Sequence, residues 1–123
     1  MLSQGEENLI LSAFHILQHE VNLNARNHGF WPSEPNEEIN SGGRNDGEMI
    51  ALMHSELSEA LEAIRKPKQD EHCPEFQSIE IELADCIIRI LDYADARRLR
   101  LGEALLAKHR FNITREFKHG KAF

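Results

Sequence analysis

The 123-residue chain is poor in the residues that build special frameworks: two cysteines, four prolines, one tryptophan and one tyrosine. Cys73 and Cys86 form neither a CxxC pair nor a Cys/His zinc spacing, which excludes a disulfide framework and points to a reducing compartment. No apolar run approaches the roughly 18 residues that span a bilayer. The start, MLSQGEENLI, lacks a basic segment followed by an apolar core, so no membrane partner and a cytoplasmic location are expected. Positive charge is in the minority, with 14 Lys and Arg against 21 Asp and Glu and a formal net charge of −7. That balance argues against a general surface for nucleic-acid polymers, whose phosphates are held mainly by Lys and Arg. Strand-like alternation and internal repeats are also missing, which leaves a single all-α domain over residues 1–123.

What is present reads as four helices. Residues 6–27 carry Ile10, Phe14, Leu17 and Val21 at helical spacing, and His28-Gly29 supplies a stop. Residues 30–47 are rich in Pro, Gly, Asn and Ser and form a long connection, either a candidate lid or disordered. Asn45-Asp46 then offers an N-cap, and Ile50, Met53, Leu57, Leu61 and Ile64 share one face of a second helix ending near Arg65. Pro74 suits the first turn of a third helix that runs to about Arg98. Leu101-Gly102 punctuates the chain, residues 103–118 form a fourth helix, and 118–123 a basic tail. The third helix is apolar on more sides than three neighbours of one small chain can cover. A four-helix-type bundle completed by oligomerisation, as a homodimer or homotetramer, is therefore expected.

The acids break this apolar pattern. Glu82 and Asp85 lie three apart inside the most apolar run, 79–93, and Glu56 and Glu59 repeat the spacing one helix earlier. Three residues turn a helix by about 300°, so each pair projects two carboxylates from neighbouring points of one face. On the third helix Glu75, Ser78, Glu82, Asp85, Arg89 and Asp92 form one stripe. Such a stripe faces water or a crevice, and the breadth of the remaining apolar surface favours the crevice. Opposed carboxylates repel unless cations neutralise them or protons are taken up, so a pairing of Glu56/Glu59 with Glu82/Asp85 predicts metal dependence. Oxygen-only ligands suit Mg²⁺, with Mn²⁺ as the alternative. A di-iron bundle would need two Glu-x-x-His motifs, and only Glu116-x-x-His119 is present. His15 and His19 have an i, i+4 zinc spacing without a third ligand.

The last quarter of the chain is basic. Lys108, Asn112 and Arg115 follow an i, i+4, i+7 spacing with Leu106, Ile113 and Phe117 opposite. They form either a solvated helix face or a set of donors for phosphate oxygens. An acidic metal stripe together with a cationic stripe favours the second, because metal-bound polyphosphate needs both kinds of contact.

HSELSEALEAIRK at 54–66, IELADCIIRILDYA at 81–94 and KHRFNITREFKHGKAF at 108–123, preceded by NHGFWP at 27–32, together resemble the MazG-like branch of the all-α nucleoside triphosphate pyrophosphohydrolases. The resemblance implies that Glu56, Glu59, Glu82 and Asp85 coordinate Mg²⁺. It implies cleavage of a nucleoside triphosphate between its α and β phosphates, releasing the monophosphate and pyrophosphate. It further implies that Lys108, Asn112 and Arg115, with Lys121, hold phosphates or sugar, from the same or a neighbouring subunit. Trp31 either stacks on the base or anchors the core or lid. Ser55 departs from the family pattern Glu-Glu-x-x-Glu at its first acid and leaves the general base unassigned. Bound cations lower the pKa of water, so a dedicated protein base is not required. The alternatives are a relative specialised for dCTP, dUTP or phosphoribosyl-ATP, and a non-catalytic helical interaction module.

Overall fold

The computed structural model describes residues 1–31 and 44–122, so most of the 30–47 connection, the candidate lid, lies outside the described residues. Those residues form four α-helices and no strand: α1 (Gln4–Asn27), α2 (Asp46–Arg65), α3 (Ser78–Ala96) and α4 (Leu101–Ile113), with a short 3₁₀ turn at Phe117–Gly120. None of these helices is long and apolar enough to cross a membrane. Local chemistry sets the ends. Ser3 caps α1 in a capping box with Glu6, and the Asn45 side chain accepts from Glu48 N–H at the start of α2. Gly29, at φ 81°, closes α1 in a Schellman motif in which Phe30 N–H bonds to Ala25 O.

The third helix starts four residues later than Pro74 predicts. Asp70 Oδ2 accepts from both His72 and Cys73 N–H, and Phe76 N–H bonds back to Cys73 O. Pro74 thus occupies the second position of a β-turn, where its fixed φ is equally favoured. Ser78 N–H is taken by Lys68 O, so helical bonding begins only there, and Glu75 is not part of the stripe. At the other end, Gly102 is no break. It lies inside α4, and a Cβ there would come within 3.1 Å of Phe14 Cβ, so the missing side chain lets α4 approach α1 closely. The Glu7 carboxylate receives both Nε and Nη2 of Arg110 and ties the far end of α4 to α1. The fourth helix ends at Ile113, short of the expected 118.

α3 is the central helix, antiparallel to both α1 and α2, while α4 packs on α1. Its seam with α1 is polar. Asp92, buried, accepts Asn22 Nδ2 at 2.8 Å and Trp31 Nε1 at 2.9 and 3.1 Å. Arg44 Nη1 stands 3.9 Å away, and Arg97 bonds both Arg44 O and Asp46. The buried face of α1 accordingly includes Gln18 and Asn22, and Leu17, an expected core residue, is exposed.

The largest difference from the sequence pattern is the roll of α2. Ile50, Leu57, Leu61 and Ile64 were the expected core face, yet they are 42% to 63% exposed. Met49, Glu56 and Ala60 are buried instead. A small residue at Ala60 permits close approach to α3, and the buried Glu56 charge is met by Arg89. Asp92→Ala should leave the Trp31 and Asn22 donors and the Arg44 charge without an acceptor. Stability should fall by about 3 kcal/mol or more, and the emission of the single Trp should move to longer wavelength, read by chemical denaturation and fluorescence.

Candidate metal centre and adjoining cavity

The roll of α2 is what builds the site. Antiparallel packing sets Met53 O against Cys86 Sγ at 3.6 Å, and one turn further along it brings the Glu56 and Glu59 side chains opposite Glu82. One carboxylate oxygen from each of Glu56, Glu59 and Glu82 lies within 4.8 Å of the others. Glu56 is buried, Glu82 half-buried and Glu59 exposed, so the cluster opens outward on the Glu59 side. Three oxygen donors with no nitrogen or sulfur among them fit a hard divalent cation. Asp85, the fourth expected ligand, is outside this trio and lines an adjoining cavity together with Glu56.

Arg89 Nε donates to Glu56 Oε1 at 2.6 Å. Burial works against the Glu56 charge, but the hydrogen bond from Arg89 and those shared with Glu59 and Glu82 prevail and hold this carboxyl below its ordinary range. Its neighbours move the other way. A protonated Glu59 donates to Glu56, and this bond, with partial desolvation and the Glu56 and Glu82 charges, pushes Glu59 up to about 7. Desolvation, followed by the charges of Glu56 and Asp85, raises Glu82. Desolvation and the Glu56 charge raise Asp85, partly offset by Arg89. Arg89 thus supports the Glu56 charge, while Glu59, Glu82 and Asp85 each hold a proton more tightly than a free carboxyl.

The cavity, about 420 Å³ and open to solvent, is lined by α1 and the turn after it (Val21, Asn24, Ala25, His28, Phe30), by Arg44, and by Glu56, Asp85, Ile88, Arg89 and Asp92. Its size is within the usual range for small-molecule sites. Other expected site residues lie elsewhere. Trp31 is 4% exposed, its N–H given to Asp92 and its ring attended by Arg26, Arg44 and Arg97 at 5.2 to 5.7 Å. This is the anchoring role; the buried ring presents no open face for a base. Lys108 and Asn112 are exposed on α4, and none of Lys108, Asn112, Arg115 or Lys121 lines the cavity. Arg115 falls beyond the end of α4 and does not continue their stripe. Of the side opposite them, Leu106 is buried as expected, whereas Ile113 and Phe117 are 49% and 89% exposed. Ser55 Oγ donates to Leu52 O at 2.7 Å, a backbone contact within its own helix.

Sequence reasoning passed over Arg89 and Arg44 as site residues. The available signal was the Asp85-to-Arg89 step of four, which puts acid and guanidinium on one helical face. No family model, curated protein or solved structure matches this chain.

The raised Glu59 fixes a pH dependence. A carboxyl whose folded pKa lies near 7 against an ordinary 4.5 favours folding most at low pH, and that contribution is lost as pH rises through about 7. In EDTA, the melting temperature of the unmodified protein relative to Glu59→Gln should therefore fall between pH 5 and pH 8. A difference that is flat or rises over that window would contradict the raised Glu59.

Proposed function

We propose that this protein is a Mg²⁺-dependent, MazG-like nucleoside triphosphate pyrophosphohydrolase that cuts between the α and β phosphates and releases the monophosphate and pyrophosphate. The observation that carries this reading is the convergence of Glu56, Glu59 and Glu82 at the edge of a ligand-sized cavity whose wall holds Arg44, Arg89 and Asp85. Glu56, Glu59 and Glu82 would hold the cation, with Asp85 beside it; the bound cation supplies charge neutralisation and Lewis acidity. Mg²⁺ is preferred, with Mn²⁺ as substitute, because the donors are all carboxylate oxygens.

The chain's own residues do the rest. Arg89 keeps Glu56 ionised and oriented before any cation arrives. Val21, Ile88 and Phe30 give one side of the cavity an apolar lining, and Asn24 and His28 add polar edges suited to a nucleoside. Ser55, committed to its own helix, is not a base.

Incubation with a panel of NTPs and dNTPs plus Mg²⁺ should release pyrophosphate, and EDTA should abolish it. Release of orthophosphate alone, or activity indifferent to EDTA, would contradict the reading. Glu59→Gln and Asp85→Asn should each lower turnover by about a hundredfold or more while retaining the helical circular dichroism. The same panel separates a broad enzyme from one specialised for dCTP, dUTP or phosphoribosyl-ATP.

The outward apolar stripe on α2, with Leu83 and Ile87 exposed on α3, supports assembly as a homodimer or homotetramer. It also favours the second reading, a non-catalytic helical interaction module. Millimolar Mg²⁺ or Mn²⁺ decides between them, since a module without a metal site should show no thermal shift. In the enzyme reading, Lys108, Asn112, Arg115 and Lys121 reach the triphosphate from a neighbouring subunit. Mixing Glu59→Gln with Lys108→Ala, each deficient alone, should then recover activity; no recovery after subunit exchange would place Lys108 outside the site.

A further inference from the structure

Arg89, like the Glu56 to which it is bonded, belongs to both halves of the site. Its Nε holds Glu56 of the carboxylate cluster at 2.6 Å, and its side chain, 35% exposed, lines the cavity. A guanidinium has five N–H donors, and this contact uses one of them. The two Nη groups make no hydrogen bond among the described residues. Other arginines of the fold are differently committed. Arg110 places both Nε and Nη2 on Glu7, and Arg97 divides the same two groups between Asp46 and Arg44 O. Arg44 lies against Asp92 and the rings of Phe30 and Trp31. Among the described residues, Arg89 is an anchored guanidinium that borders both a cavity and a carboxylate cluster with its fork uncommitted.

Charge points the same way. A divalent cation and Arg89 together balance three ionised carboxylates and leave nothing over for a triphosphate. Additional donors must therefore face the phosphates, and Arg89 can offer them without leaving Glu56. Lysine could replace Arg89 as a simple counter-ion, but it could not hold a carboxylate through one nitrogen while presenting a planar fork through two others.

We propose that Arg89 is a phosphate clamp for the triphosphate reading given above: its Nε remains on Glu56 while its Nη groups donate to non-bridging oxygens of the phosphate nearest the carboxylate cluster. Substrate and cation ligand are thereby held by one rigid group. Arg89 is then a substrate-contacting residue and not merely a support for Glu56.

The test separates phosphate binding from cation binding. Mn²⁺ binding without nucleotide is followed by the electron paramagnetic resonance of free Mn²⁺. Binding of α,β-methylene-ATP and α,β-methylene-dCTP at saturating Mn²⁺ is followed by calorimetry, for the unmodified protein, Arg89→Gln and Arg89→Lys. Arg89→Gln should weaken the better-bound analogue by about tenfold or more, with Mn²⁺ affinity in its absence changed less than about threefold. Arg89→Lys, which keeps the charge and provides a second variant should the first fail to fold, should recover only part of the loss. Unchanged analogue affinity in both variants would overturn the proposal, as would a loss of Mn²⁺ affinity as large as the loss of analogue affinity. Failure of the unmodified protein to bind either analogue would instead defeat the triphosphate reading itself, and the clamp with it, before any variant is compared.

Discussion

Two helices of this small domain press carboxylates against each other. Glu56 on α2 is buried opposite Glu82 on α3 with Glu59 alongside, an arrangement that desolvation and like-charge repulsion both oppose. The packing of α2 on α3 is the principal interface of the fold, so its cost cannot be avoided by a local adjustment. The protein meets it with Arg89, which pairs directly with Glu56, and with the raised pKa of Glu59, pushed up to about 7. A divalent cation at the cluster would relieve the same repulsion while leaving the Arg89 bond in place.

The other end of the same stripe is built on the opposite principle. Asp92 is also buried, but its oxygens are met by Trp31 and Asn22, with Arg44 close by. This hub joins α1, the turn that follows it, the residues before α2, and α3. It thereby sets the walls of the cavity that begins at Asp92 and ends at Glu56 and Asp85. One helix face thus runs from a buried carboxylate that fixes the frame to the acids of the cluster. Arg89 stands between them.

Much of this was legible in the sequence, and the failures have physical causes. Helix α2, expected to start at an Asn45-Asp46 cap and to end near Arg65, runs Asp46–Arg65, because a side-chain cap and the Lys66-Pro67 break act locally. The all-α class followed from 3.6-residue periodicity. The start of α3 was missed because Pro74 serves a turn as well as a helix, and only the capture of backbone N–H groups by Asp70 distinguishes the two. The roll of α2 was missed because Ile50, Leu57, Leu61 and Ile64 form a better apolar stripe than Met49, Glu56 and Ala60. Periodicity shows that a face is apolar, not whether its partner lies within the same chain. The carboxylates were recognised by spacing, three of the four converge, and Arg89 was overlooked because its role depends on a contact across helices.

The central claim is that Glu56, Glu59 and Glu82 form a binding site for one hard divalent cation. Crystals grown with Mn²⁺ and measured at a wavelength where manganese scatters anomalously test it most directly. The account predicts an anomalous peak between these three carboxylates, with oxygen ligands only. A map with no peak there, and the three carboxylates arranged as they are without an ion, would contradict it.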